Sequence, residues 1–120
     1  MFNLDAAPRF PVLVRPAVPG AEDGSLDITL IMSAARSSET AARSRAILEA
    51  ADTGDIQAVA AAEIADLAPL VHGWRDVVDA DGAPVPFSAE ALAQLLDLPA
   101  VRIGIYRGYG AALREAATKN

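Results

Sequence analysis

Paired aspartates, one histidine, a carboxylate pair and a run of glycines have the residue types and spacing that chemistry uses. Asp79-x-Asp81-Gly82 has the look of a calcium loop. Placing Gly82 at the sixth loop position puts Val77 first and Ser88 twelfth, where an EF-hand needs an acid and a bidentate glutamate. Asp and Gly are also what a hairpin turn demands, and a turn is the expectation here. His72 is the only imidazole, so a two-histidine metal site is impossible. Ser37, Ser38 and Ser88 read better as helix caps than as nucleophiles for it to activate.

Glu63 and Asp66 stand three apart, as a carboxylate pair on one helix face would. No histidine, lysine or cleft signal accompanies them, so a solvated face is expected. Gly104-x-x-x-Gly108-x-Gly110 is followed by Ala111-Ala112-Leu113 rather than by the Lys and hydroxyl of a phosphate loop. Small residues at that spacing are expected instead to let another helix, or a second copy, approach closely. No nucleophile–base pair is legible. The chain is expected not to be an enzyme and to carry no catalytic, cofactor-binding or metal-ligating residues.

Composition narrows the classes further. At 120 residues the chain is one domain, residues 1–120, with 1–9 expected to be flexible. Although 52% of the residues are apolar, alanine dominates, so a few larger side chains must build the core. Cysteine is absent, which excludes disulfides and thiolate metal sites and fits a reducing compartment. No apolar run approaches the roughly 20 residues of a membrane span. Met1-Phe2-Asn3-Leu4-Asp5 also lacks the basic start of a signal peptide, so a cytosolic protein that contacts no membrane is expected.

The net charge is −6, unevenly spread. Residues 46–100 hold nearly all the excess acid, with Arg75 their only base, whereas 101–120 are basic. An acidic middle argues against nucleic acid as a partner, because phosphate contacts need clustered Lys and Arg. The basic end could pack on that middle, within one chain or between copies, but a solvated acidic surface is the expectation.

The elements follow from periodicity. Phe10, Val12, Val14 and Val18 fall at even spacing, and Pro11, Pro16 and Pro19 forbid helix and limit the segment to an edge strand. Leu26, Ile28, Leu30 and Met32 alternate as the second strand of a hairpin. Ser37-Ser38-Glu39-Thr40 offers hydroxyl caps to a helix reaching about Ala51. Asp55 caps a second helix with the stripe Ile56, Val59 or Ala60, Ile64 and Leu67, which Pro69 should end or kink. Trp74–Val78 and Ala83–Phe87 suggest a second hairpin, with Trp74 and Phe87 in its core. Ser88 caps a helix carrying Leu92, Leu95 and Leu96, and Leu98-Pro99 opens the last helix. Val101, Ile103 and Ile105 alternate like a strand there, but Val101, Ile105, Tyr109, Ala112 and Ala116 form a helical stripe, and helix is the expectation. The predicted fold is α+β: an N-terminal β-hairpin, two helices, a second short β-hairpin and two C-terminal helices.

The string Val71-x-Gly73-Trp74-x-x-Val77-x-Asp79-x-x-Gly82-x-x-Val85-Pro86-Phe87-Ser88, followed by Leu95-Leu96, Tyr109 and Lys119-Asn120, resembles tail assembly chaperones of long-tailed bacteriophages and prophages. The resemblance is good over 71–120, weak over 10–40 and absent over 41–65. It implies a protein of the bacterial host cytoplasm that binds the apolar, helical tape-measure protein. Such a chaperone keeps that protein soluble while the tail tube polymerises and is absent from the mature virion. In many such phages a frameshifted longer form recruits the tail-tube protein. Ending on Lys119-Asn120 would suit the short form.

A long apolar helical partner exposes aggregation-prone surface, and helix-in-groove contact is the expected way to cover it. Leu92, Leu96, Tyr106 and Tyr109 are the expected anchors, on the last two helices. A homo-oligomer is compatible with the glycines and the charge asymmetry. Two rivals stand beside this reading: a head–tail connector or tail terminator, which would stay in the virion, and a small non-phage binding or regulatory domain.

Overall fold

Residues 1–119 are described by a computed structural model; Asn120, the last residue of the resemblance, lies outside them. Alternation along the first two segments, joined by a third, produces an antiparallel sheet in the order β1-β2-β3, made of β1 (Arg9–Val14), β2 (Ile28–Ser33) and β3 (Val71–Arg75). Val12 pairs with Leu30 and Val14 with Ile28, so their side chains share one face, and all four are buried. The opposite face carries Arg9, Pro11 and Leu13, all exposed. Four helices complete the α+β fold: α1 (Ser37–Asp52), α2 (Ile56–Leu67), α3 (Ala89–Leu96) and α4 (Pro99–Lys119). A short 3₁₀ turn containing Pro69 links α2 to β3. Leu67, Leu92, Leu96, Val101 and Ile105 cover the sheet's apolar face and close the core. No described helix is long and apolar enough to cross a membrane.

Several boundaries differ from the sequence expectation. Only the first half of the predicted Phe10–Val18 strand pairs; Pro16 and Pro19 turn the chain away, and Val18 leaves the sheet. Leu26 also lies outside its strand. The second hairpin is reduced. Trp74 sits in β3, paired with Leu30 in the main sheet, and beyond it only Val78 and Pro84 form a bridge. The predicted turn at Asp79–Gly82 is present, with Asp79 Oδ1 accepting from the Asp81 and Ala83 amides. Trp74 Nε1 donates to the Val85 carbonyl at 2.8 Å and its ring meets Phe87 edge-on, which folds this arm back on the sheet.

Caps Asp55 and Ser88 accept from the Gln57 and Ala91 amides, as their types predict. The hydroxyl cap expected for the first helix is missing: Arg36 occupies that position without a side-chain bond. Glycines 104 and 108 serve neither another helix nor a second copy. A Cβ at Gly104 would stand 2.5 Å from the Arg15 carbonyl oxygen, and one at Gly108 would collide with that of Leu13. They let α4 lie directly along β1, covering an edge strand that would otherwise invite pairing.

Candidate partner-binding surface

Three chain reversals meet at one end of the sheet. Residues 16–18 leave β1, Ser25–Ile28 enter β2, and Asp76–Val78 follow β3. The α3–α4 junction, Leu95 and Leu98–Val101, closes the ring around a groove of about 420 Å³. Pro99 starts α4, where its missing N–H costs nothing. The Ala100 carbonyl accepts from the Ala17 amide at 3.0 Å, tying the segment after β1 to that helix start. Asp76 makes the turn after β3 with φ 69°, a left-handed conformation that aspartate tolerates better than most residues.

Ile28 and Val101 form the buried floor, while Val18, Leu26, Val78 and Leu98 stand at the mouth with 39, 46, 54 and 54% of their surface exposed. Scattered apolar residues on a surface need no explanation; four around one concavity make it the candidate surface of this fold. Asp27 and Asp76 supply acid at the rim. Arg15 donates to both oxygens of Asp27 at 3.0 and 2.9 Å and holds that carboxyl below its usual range.

The four anchors expected from sequence do not line this groove. Leu92 and Leu96 are buried in the core. The Tyr106 hydroxyl donates to Asp66 Oδ2 at 2.8 Å, and the Tyr109 hydroxyl accepts from the Ala35 amide at 3.1 Å, its ring stacked with Phe10. All four are interior joints of the fold. Their sequence neighbours Leu95 and Leu98 reach the groove instead, because α3 ends between them and the chain turns. Val18, Leu26 and Val78 were missed for a related reason: each continues the alternation of a strand, and only the turns take it out of the sheet.

Glu63 and Asp66 are not a solvated carboxylate face. Glu63 Oε1 accepts from Arg102 Nε at 3.0 Å, and Asp66 accepts from Tyr106, so two acids three apart on α2 meet two partners four apart on α4. The buried Arg102 also donates to the Leu96 carbonyl at 2.9 Å, satisfying the end of α3. Burial first, then the Asp66 hydrogen bond, push the Tyr106 phenol well above its ordinary range.

Sequence reasoning also overlooked Ser33, whose Oγ lies 2.7 Å from His72 Nε2. His72 is an extra residue on β3, placed there by the register shift opposite Ile31 and Met32. Burial, then the charge of Arg9, lower its pKa. Among the described residues no carboxylate is hydrogen-bonded to the imidazole, as a triad would need, and neither member lines the groove. The pair fastens β3 to β2. Nor do three or more His, Asp or Glu side chains gather as a metal site among the described residues. Comparison with family models, curated proteins and solved structures returned no match to the chain.

Proposed function

We propose that this chain is a binding protein of the assembly-chaperone kind, and specifically that it covers apolar surface on the tape-measure protein of a long-tailed phage or prophage in the host cytoplasm. The groove ringed by Val18, Leu26, Val78 and Leu98 carries the reading. It would receive a helical segment through apolar residues at i, i+3 or i+4 spacing. Asp76 favours Lys or Arg beside those anchors and disfavours acidic competitors, whereas Asp27 is already paired with Arg15. The net charge of −6 keeps coated complexes apart. The resemblance over 71–120 supplies the partner's name. The groove lies on other residues than Leu92, Leu96, Tyr106 and Tyr109, the anchors expected from the last two helices.

Co-expression of the tagged chain with the largest helical protein encoded downstream tests the proposal. A soluble complex is expected, and the double substitution Val78→Asp with Leu98→Asp should remove it while the chain itself stays folded. Elution of the chain alone, with the partner insoluble, would overturn the tape-measure reading. Recovery of the chain in purified virions would favour a connector or tail terminator.

A further inference from the structure

Helix α1 has no buried residue over its 16 positions. It packs on α2 and makes no substantial contact with the sheet. Residues 51–57, at the tip of the α1–α2 hairpin, are exposed throughout, and Leu48 and Ile56 expose 67 and 83% of their surface. The radius of gyration, 15.0 Å, exceeds the roughly 13.6 Å expected of a compact chain this long. An arm of this kind gains little from helix propensity alone, since most helical stability in proteins comes from packing a face.

Charge placement says what covers it. Arg36 precedes α1, and Arg43 and Arg45 lie near its middle, Arg43 paired with Glu39 at 3.4 Å, while Glu49 and Asp52 end the helix with no base in the last turn. That layout leaves two acids at the end of the helix, where the dipole disfavours them. It is, however, self-complementary for two antiparallel copies. Ala41, Ser44, Leu48 and Ala51 form an exposed stripe at alternating spacings of three and four. Arg45 and Asp52 are seven apart, two turns along the same side of that stripe, with Leu48 near their midpoint.

We infer that this chain forms a two-fold homodimer through antiparallel contact of α1 with α1 of a second copy. Leu48 meets Leu48 at the axis, and Arg45 of each copy faces Asp52 of the other. The small residues on either side allow close approach, and the contact is isologous, so it closes at two copies. It stands independently of the tape-measure reading and uses a surface separate from the groove.

Sedimentation of the full chain over a concentration series tests this. A dimer is expected whose dissociation constant rises with salt. Arg45→Glu should weaken it by about tenfold or more, because it places like charges opposite each other at both ends of the contact. Adding Asp52→Arg to that variant restores opposite charges and should return the affinity, an outcome that misfolding cannot imitate. Leu48→Glu should give a monomer whose circular dichroism and unfolding midpoint match those of the unsubstituted chain. A wild-type monomer at every concentration, an unaffected Arg45→Glu variant, or failure of the double swap to recover affinity would each overturn the antiparallel dimer.

Discussion

Two helices of this chain meet the rest of the molecule in opposite ways. The first half of α4 buries Val101, Arg102, Gly104 and Ile105 and lies so close to β1 that two positions must lack a side chain. Helix α1, 16 residues long against the 21 of α4, buries nothing. Both are rich in small residues, so smallness alone does not say where a helix will pack. What separates them is the spacing of the few larger groups: Val101, Ile105 and Tyr109 recur at four and line up along one face, whereas Ile47 and Leu48 are adjacent and diverge. One helix is a structural wall, and the other is a surface left open.

The sharpest test of that contrast is Gly108→Val. It should cost about 3 kcal/mol in urea unfolding, because the new side chain has backbone rather than a movable group in its way. Gly110→Ala, two residues on, should instead stabilise by about 0.5–1 kcal/mol, since only the flexible end of Arg114 is near. If both changes cost alike, close approach to β1 is not the reason for the glycines.

Arg102→Met probes the joint between α2, α3 and α4. The expected loss is also about 3 kcal/mol, because Glu63 and the Leu96 carbonyl lose their donor together. A loss below about 1 kcal/mol in the same assay would mean that water replaces the guanidinium.

Tyr106→Phe removes one hydrogen bond and should cost about 1 kcal/mol near neutral pH. Because the folded state holds the phenol proton more tightly than the unfolded one, this contribution is intact below about pH 10 and is lost as the pH rises beyond it. Alkaline unfolding curves of the two proteins should therefore converge. Curves that stay parallel would remove Tyr106 from the linkage. On the open arm, Ile56→Gln should change stability by less than about 0.5 kcal/mol, and a larger loss would show that the α1–α2 tip is covered within one chain.

Much of the core was legible because periodicity reports burial directly. Val12, Val14, Ile28, Leu30 and Met32 alternate, and Leu92 and Leu96 recur at helical spacing; all are buried. The caps Asp55 and Ser88 were equally plain, since each acts within three residues of itself. The groove was not legible for the same reason that the core was. Pattern identifies apolar side chains that belong together, and Leu92, Leu96, Tyr106 and Tyr109 do belong together, as interior contacts. The groove residues sit at the ends of elements, where periodicity stops carrying information.

The sequence by itself determined the α+β class, the helix starts at Asp55 and Ser88, the turn at Asp79–Gly82 and the face that the first two strands bury, because these depend on neighbours a few positions away. Tertiary structure alone decided that Trp74 joins the main sheet, that Gly104 and Gly108 receive a strand, and that Glu63 and Asp66 meet Arg102 and Tyr106. It also decided that Val18, Leu26, Val78 and Leu98 converge on one groove. These outcomes depend on segments far apart in the chain being brought together, and no local rule of spacing or propensity records which distant backbone arrives.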